Sequence, residues 1–301
     1  MFGTGLKLTL QEIWQPLANT RLVIFSLITN FLLVPVFVYL LLTVISVTEP
    51  VKDGFMIMAL ASGPPALPKL AEIVKGNLAF ATGLMMLLML GTVFYLPITL
   101  PFFIEGVQIT PWDIGKPLIF MMIIPLVIGL SIKLIKFESE DIVIKLQAIT
   151  FQISNFGLLL GLGVRLIVHF DEILLLLKTG VIFICAVFII FSFSVGYLLG
   201  GPGVDTQRVL GVGTAQRNFA AALLIGTSNF DDPNVVSIIM VTSLLMMVSV
   251  LVLGKNLTEL EPATTKRITN LKSYRSFDFH LLYINSIKCI SKYIISFSPT
   301  A

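Results

Sequence analysis

Two polar segments broken by Gly or Pro interrupt apolar runs that are otherwise long enough to cross a membrane. The first, residues 62–69, reads SGPPALPK and ends in Lys69; the second, residues 211–218, reads GVGTAQRN and contains Arg217. Non-helical backbone at membrane depth is tolerated only where it is buried in protein or lines a cavity. Two such interruptions at matched places in a chain are typical of a transporter's binding site. The pair therefore predicts a polar site inside a helical membrane protein.

Composition agrees with a membrane location. The mean hydropathy is +0.97, and charged residues make up 12% of the sequence, against about 25% in soluble domains. Basic residues concentrate after position 255, so the rest of the chain offers no basic surface for nucleic acid. The two histidines and two cysteines are scattered, and we therefore expect no metal site, no cofactor and no enzyme.

The apolar runs predict an all-α polytopic membrane protein. A helix of about 20 apolar residues crosses the hydrocarbon layer, and about eight stretches of this sequence reach that length. Lys and Arg in the short loops favour the side of the N-terminus, so we expect both termini to be cytoplasmic, in a plasma or inner membrane. The predicted spans are 21–46, 54–75, 78–104, 114–136, 144–167, 173–199, 206–228 and 234–254.

Spans one to three and spans six to eight share one order: long helix, broken helix, long helix. Because the two triplets start five spans apart, they face opposite sides of the membrane, which is the pattern of an inverted repeat. For the tail, a basic membrane-surface segment and a poorly ordered extension both fit the pattern. The predicted units are an N-terminal cytoplasmic segment at 1–20, a first core repeat at 21–104, intervening helices at 105–172, a second core repeat at 173–254 and the basic tail at 255–301.

Three motifs resemble those of the bile acid:sodium symporter family. Residues 30–35 (NFLLVP) are similar to the polar-to-proline pattern of its first core helix. Residues 75–79 (KGNLA) are similar to the junction that ends its first crossing helix, and residues 216–222 (QRNFAAA) to a run in its second. The resemblance extends from about residue 6 to residue 254. It implies a core domain in which two discontinuous helices cross, beside a panel domain of further helices.

The family resemblance also implies a function and a missing part. Members carry organic anions by alternating access, so we expect a small-molecule anionic substrate and a lipid environment. The intervening helices at 105–172 would belong to the panel domain. Because the family has two more spans upstream, residues 1–20 are interpreted as the end of a span that is absent, and self-association would then complete the panel.

The sequence departs from the family where sodium ligands are expected. By alignment to the motifs, Pro68 and Lys69 stand at two ligand positions of the first crossing helix, and Gly213 and Arg217 at two of the second. Sodium needs oxygen ligands, whereas Lys and Arg offer only N–H donors. We therefore expect fixed cations in place of sodium, and transport that is not sodium-coupled. A desolvated Lys69 would instead allow proton coupling.

The predicted substrate site combines two cations with five polar side chains. Arg217 and Lys69 would neutralise the anion, although Lys69 lies close enough to the membrane surface to extend towards water instead. The polar side chains would orient the substrate by hydrogen bonds; they are Asn218, Gln216, Thr214, Asn30 and Thr82. Three alternatives stay open: a sodium-coupled symporter, a channel, and a truncated membrane protein that does not transport.

Overall fold

The computed structural model describes residues 19–104, 110–134 and 180–259, with isolated positions at 2, 6, 145, 148–150, 152, 153, 156 and 160. These residues form helices and their connections, and no strand occurs among them. The helices are α1 (Thr20–Val44), α2 (Glu49–Leu60), α3 (Leu67–Ile73), α4 (Leu78–Phe103), α5 (111–134), α6 (Val181–Leu199), α7 (Val204–Ala215), α8 (Phe219–Asn229) and α9 (Pro233–Glu259).

Five of these helices, α1, α4, α5, α6 and α9, are long and apolar enough to cross a membrane. They fall on the predicted spans one, three, four, six and eight, so the prediction of an all-helical, multi-pass membrane protein is confirmed. Span six begins later among the described residues than predicted, at Val181, behind a left-handed Gly180. Span five at 144–167 and the tail after residue 259 lie largely outside the described residues, and both stay predictions.

The four remaining helices form two pairs, and each pair is divided by a short non-helical segment. Residues 61–66, here called the first break, separate α2 from α3. Residues 216–218, the second break, separate α7 from α8. At 7 to 12 residues these helices are too short to cross a bilayer singly, since crossing needs about 20 residues.

Gly63 shapes the first break. Its φ of +77° lies in the left-handed region, which a residue without a Cβ adopts readily. A Cβ on Gly63 would lie 2.3 Å from the backbone nitrogen of Met89, so the break also packs directly on the backbone of α4. The Thr92 hydroxyl of α4 donates to the Ser62 carbonyl (2.9 Å) and accepts from the Ser62 N–H (3.0 Å). A side chain therefore replaces the helical bonds that the break removes.

A wide turn in α1 brings Asn30 into the interior. The backbone over Thr29–Leu33 is π-helical and ends two residues before Pro35. Proline lacks an N–H and its ring clashes with the carbonyl four residues earlier, which here belongs to Phe31. That carbonyl accepts a hydrogen bond from the Tyr95 hydroxyl of α4. Such wide turns are frequent at functional sites, and α1 buries Asn30 completely.

Small residues let the interior helices approach closely. A Cβ on Gly196 of α6 would lie 2.6 Å from the Leu210 carbonyl of α7. A Cβ on Gly54 of α2 would lie 2.8 Å from Ile238 of α9. Glycine at helix contacts is the usual means of close packing in membranes, where the apolar solvent supplies no hydrophobic driving force. The broken helix pairs are thus held between long helices.

Candidate functional site

The two breaks touch each other. The Asn218 N–H in the second break donates to the Ala61 carbonyl in the first, at 2.9 Å. The Asn218 side-chain oxygen meanwhile caps α8 by accepting from the Ala221 N–H (3.1 Å). Ser62 of the first break and all three residues of the second break are buried, so their polar side chains share one interior.

Asn30 connects four parts of the chain at this junction. Its Oδ1 accepts from the Ser62 hydroxyl (3.0 Å) and from Arg217 Nη1 (3.4 Å). Its Nδ2 donates to the Ser26 carbonyl (3.0 Å) and to the Thr214 hydroxyl (3.2 Å). The amide thus accepts two hydrogen bonds and donates two, and these bonds join α1, α7 and both breaks.

Arg217 is the only charged side chain that the described residues place in this cluster. It is 1% exposed, and its Cζ lies 5.7 Å from the centre of the Phe188 ring. Nη1 reaches Asn30, whereas Nε and Nη2 find no hydrogen-bond partner among the described residues. Within the same residues Arg217 forms no ion pair. A cation at membrane depth costs about 3 kcal/mol or more unless it is paired or hydrated, so this arrangement needs a reason.

Other buried side-chain atoms also lack a hydrogen-bond partner among the described residues. Some belong to the neighbours of Arg217 in the chain, and one belongs to the helix that carries Phe188. Gln216 Oε1 and Asn218 Nδ2 belong to the same break. Ser192 Oγ lies one turn beyond Phe188 on α6. Buried polar groups are almost always paired. Their concentration here makes the second break the candidate site for a polar ligand.

The structure brings five of the seven predicted site residues together. Asn30, Thr214 and Arg217 are linked by hydrogen bonds, and Gln216 and Asn218 flank Arg217. Lys69 is not part of the cluster, because its side chain is 77% exposed and its Nζ pairs with Glu72 at 2.8 Å. Lys69 is therefore not buried in this structure, and proton coupling through it stays a prediction.

Thr82 also lies apart from the cluster. Its half-buried hydroxyl donates to the Leu78 carbonyl of its own helix, at 2.9 Å. Gly213, where the family resemblance leads us to expect a carboxylate, packs on Leu67: a Cβ would lie 3.0 Å from both of its methyl groups. A larger residue at 213 would have to displace Leu67. Helix α7 therefore has no ready space for an acid at position 213.

Sequence reasoning missed four residues of the junction. Ser62 and Thr92 bond to each other at the first break, Phe188 contacts the guanidinium, and Ser192 adds a buried hydroxyl one turn beyond Phe188. Hydroxyl residues in long apolar helices were an available signal for Thr92 and Ser192, although α4 and α6 each carry others. No sequence signal distinguishes Phe188 from the three other phenylalanines of α6.

Long apolar helices enclosing a buried, charged junction define an integral multi-pass membrane protein of the transporter class. The model of the Sodium Bile acid symporter family matches residues 1–176, more than half of the chain, and the protein belongs to that family. It is thus a membrane transporter of the bile acid or organic anion type, with a small-molecule substrate, and the prediction that it is not an enzyme agrees with this family. No curated protein matches the chain. The match ends before α6, so Arg217 lies outside the matched residues.

Proposed function

We propose that this protein moves a small organic anion by alternating access around the junction of the two breaks, and that it does so without sodium. The observation that carries the proposal is Arg217: a guanidinium that is 1% exposed, with two nitrogens unpartnered among the described residues. An anion that enters beside it would supply the missing partner. Its binding would then offset part of the cost of burying the charge.

Sodium independence follows from the chemistry of the cluster. Asn30 Oδ1 is an oxygen that could ligate sodium, but it already accepts from Ser62 and from Arg217. A sodium ion would compete with both donors and would be repelled by the guanidinium. Gly213 adds no carboxylate and packs on Leu67. Arg217 would therefore take over the positive charge that a bound cation supplies in a symporter.

The architecture supports the mechanism. We propose that α2 with α3, and α7 with α8, are the two discontinuous crossing helices, and that 21–104 and 173–254 are inverted repeats. The matched order of long, short, short and long helices in 20–103 and 181–259 supports this assignment. Rocking of these repeats against the helices of 105–172 would expose the junction to either side. Cytoplasmic termini and self-association stay predictions of the same scheme.

The test is flux into proteoliposomes. A thermal-shift screen of the purified chain over carboxylates, sulfonates and inorganic oxyanions first selects the anion to be labelled. We then expect uptake that needs the anion gradient and is unchanged when sodium is replaced by a large organic cation. Steep activation by sodium at constant pH would overturn the sodium-independent mechanism. Flux that never saturates with anion concentration would identify a channel, and a pH gradient that drives uptake would identify proton coupling.

A further inference from the structure

Only one nitrogen of the Arg217 guanidinium, Nη1, has a hydrogen-bond partner among the described residues. A guanidinium carries five N–H donors in a planar fork. Nη1 lies 3.4 Å from Asn30 Oδ1, and the two nitrogens of the opposite edge, Nε and Nη2, have no partner among the described residues. These two nitrogens present parallel N–H bonds, which is the edge that grips a carboxylate with two hydrogen bonds.

The surroundings hold this edge in one orientation. Asn30 cannot rotate freely, since its amide also bonds Ser26, Thr214 and Ser62. The Phe188 ring lies 5.7 Å from the guanidinium carbon, a cation–π distance that favours contact with the face of the ring. The plane of the guanidinium is thus fixed at Nη1 and supported by an aromatic ring before any ligand arrives. Fixing a receptor beforehand lowers the entropy lost on binding.

We infer that the Nε–Nη2 edge of Arg217 is a preset receptor for a Y-shaped oxyanion of the carboxylate type, and that Asn30 is the positioning residue that aims it. The inference deepens the proposed function and rests on it, because it requires the junction to take an anion. Asn30, predicted from sequence to orient the substrate directly, would then act through Arg217. Selection would follow geometry as well as charge: two parallel bonds favour a carboxylate over a spherical halide.

The Arg217→Lys variant separates the effect of charge on anion affinity from the effect of geometry. Arg217→Lys keeps the positive charge but loses the planar fork. The affinity for a halide should therefore fall little, and the affinity for a carboxylate should fall strongly. We expect carboxylate affinity to fall about tenfold, the value of one good hydrogen bond to a charged group, and halide affinity to change less than about twofold. Arg21→Lys is the matched control, because that exposed arginine faces Phe25 at 5.4 Å on the outer part of α1.

Asn30→Ala tests the positioning role. Without Oδ1 the guanidinium is free to rotate, and we expect carboxylate affinity to fall about three- to tenfold, as for loss of one hydrogen bond. In the Arg217→Lys background the same change should have no further effect on carboxylate preference, because the fork is already gone. If Asn30 were only structural, Asn30→Ala would instead lower the affinities for carboxylate and halide equally, both in the wild-type protein and in the Arg217→Lys background.

Binding is measured on the purified full-length chain in detergent, by calorimetric titration with the organic-cation salts of benzoate and of iodide. Gel filtration and thermal unfolding show which variants are folded. If Asn30→Ala does not fold, Asn30→Asp serves: it keeps the shape and places a carboxylate 3.4 Å from Nη1, and both anions should then lose binding. Unchanged binding in a folded Asn30→Asp protein would overturn the inference.

The remaining outcomes separate the two proposals. Equal loss of benzoate and iodide in Arg217→Lys would overturn the preset fork and leave the anion site intact. Retention of benzoate affinity in Arg217→Lys would also overturn the fork. Full benzoate affinity in Arg217→Gln, in contrast, would remove the anion site itself, and with it the proposed function.

Discussion

The two breaks solve the same structural problem in opposite ways. The first contains Gly63 and two prolines, carries no charge, and has its Ser62 backbone closed by the Thr92 hydroxyl. The second contains neither glycine nor proline, and leaves nitrogens of Arg217 and Asn218 without partners among the described residues. Neighbouring residues satisfy the Ser62 backbone of the first break, whereas polar side-chain atoms of the second break are left open among the described residues. The first thus supports the junction, and the second carries its chemistry.

The difference has a physical origin in the residue types. Proline removes an N–H from the break, and glycine lets the chain turn without a side chain to accommodate. Gln, Arg and Asn instead add side-chain polar groups to a place where backbone groups already need partners. The second break consequently holds more donors than its neighbours accept. The predictions below test whether the first break is structural and the second functional.

The largest expected effect is on folding, through Gly63. Gly63→Ala puts a side chain into a left-handed conformation and against the Met89 backbone. We expect a loss of about 2–5 kcal/mol of stability, from backbone strain plus overpacking, seen as a large fall in unfolding temperature and in the monodisperse fraction on gel filtration. Gly115→Ala is the control, because its Cβ would meet only Pro97 at 3.5 Å. A stable Gly63→Ala protein would contradict the structural role of the first break.

Arg217→Gln should affect binding and spare the fold. Loss of the charged donors should weaken anion binding by about 1.5–3 kcal/mol, measured by calorimetry. Without ligand, the unfolding temperature should stay constant or rise, because a neutral amide is cheaper to bury than an unpaired cation. If Arg217→Gln keeps its anion affinity while Arg217→Ala no longer folds, the arginine has a structural role in holding helices together and does not bind the anion.

Thr92→Val tests how the first break is closed. The change keeps the shape of the side chain but leaves the Ser62 N–H and carbonyl without their partner. We expect a loss of about 1–3 kcal/mol of stability and unchanged anion affinity in the folded fraction. Thr227→Val is the control: its exposed hydroxyl donates only within α8, and the cost should be within about 0.5 kcal/mol. Equal losses in both variants would argue against a special role for Thr92.

The smallest effect is a pH dependence that leaves both breaks unchanged. Asp53 lies just before the predicted span two and lines a cavity with Asp231 and Asp232. Burial raises the pKa of Asp53 to about 6, and the negative charge of Glu49 adds to the rise. The folded protein therefore binds a proton at Asp53 more tightly than the unfolded chain does. Protonation of Asp53 stabilises the fold fully below about pH 3.8, and this stabilisation is lost as the pH rises through about 6.

The measurement is the unfolding temperature between pH 5 and pH 7. The wild-type protein should become less stable across this window, and Asp53→Asn should remove that part of the slope. Anion affinity of the two proteins should agree at each pH, because Asp53 lies in the first half of α2, about two helical turns before the first break. An identical slope in Asp53→Asn would show that this carboxyl does not titrate there.

Sequence reasoning picked out the two polar segments and Arg217 because their signals are local. Gly63 with its prolines in one apolar run and a cation in the middle of another are recognisable without knowledge of neighbours. Gly211 and Gly213, which are expected from the sequence to interrupt the second run, lie within α7, and the helix ends only before Gln216.

The same reasoning included Lys69 because, in the sequence alone, Lys69 and Arg217 are both cations within a polar segment of an apolar run. The direction of a side chain from a seven-residue helix is not a local property, and α3 directs Lys69 to Glu72 and to the exterior.

The sequence by itself determined that this chain is a helical membrane protein with two polar breaks, since apolar length and helix-breaking residues act through solvent and backbone alone. The tertiary structure decided which polar groups meet. Asn30, Ser62, Thr214 and Arg217 are separated by up to 187 positions along the chain, and only helix packing brings them within hydrogen-bond distance. Packing also decided which donors of Arg217 remain open, because partners in a water-poor interior come solely from neighbouring helices.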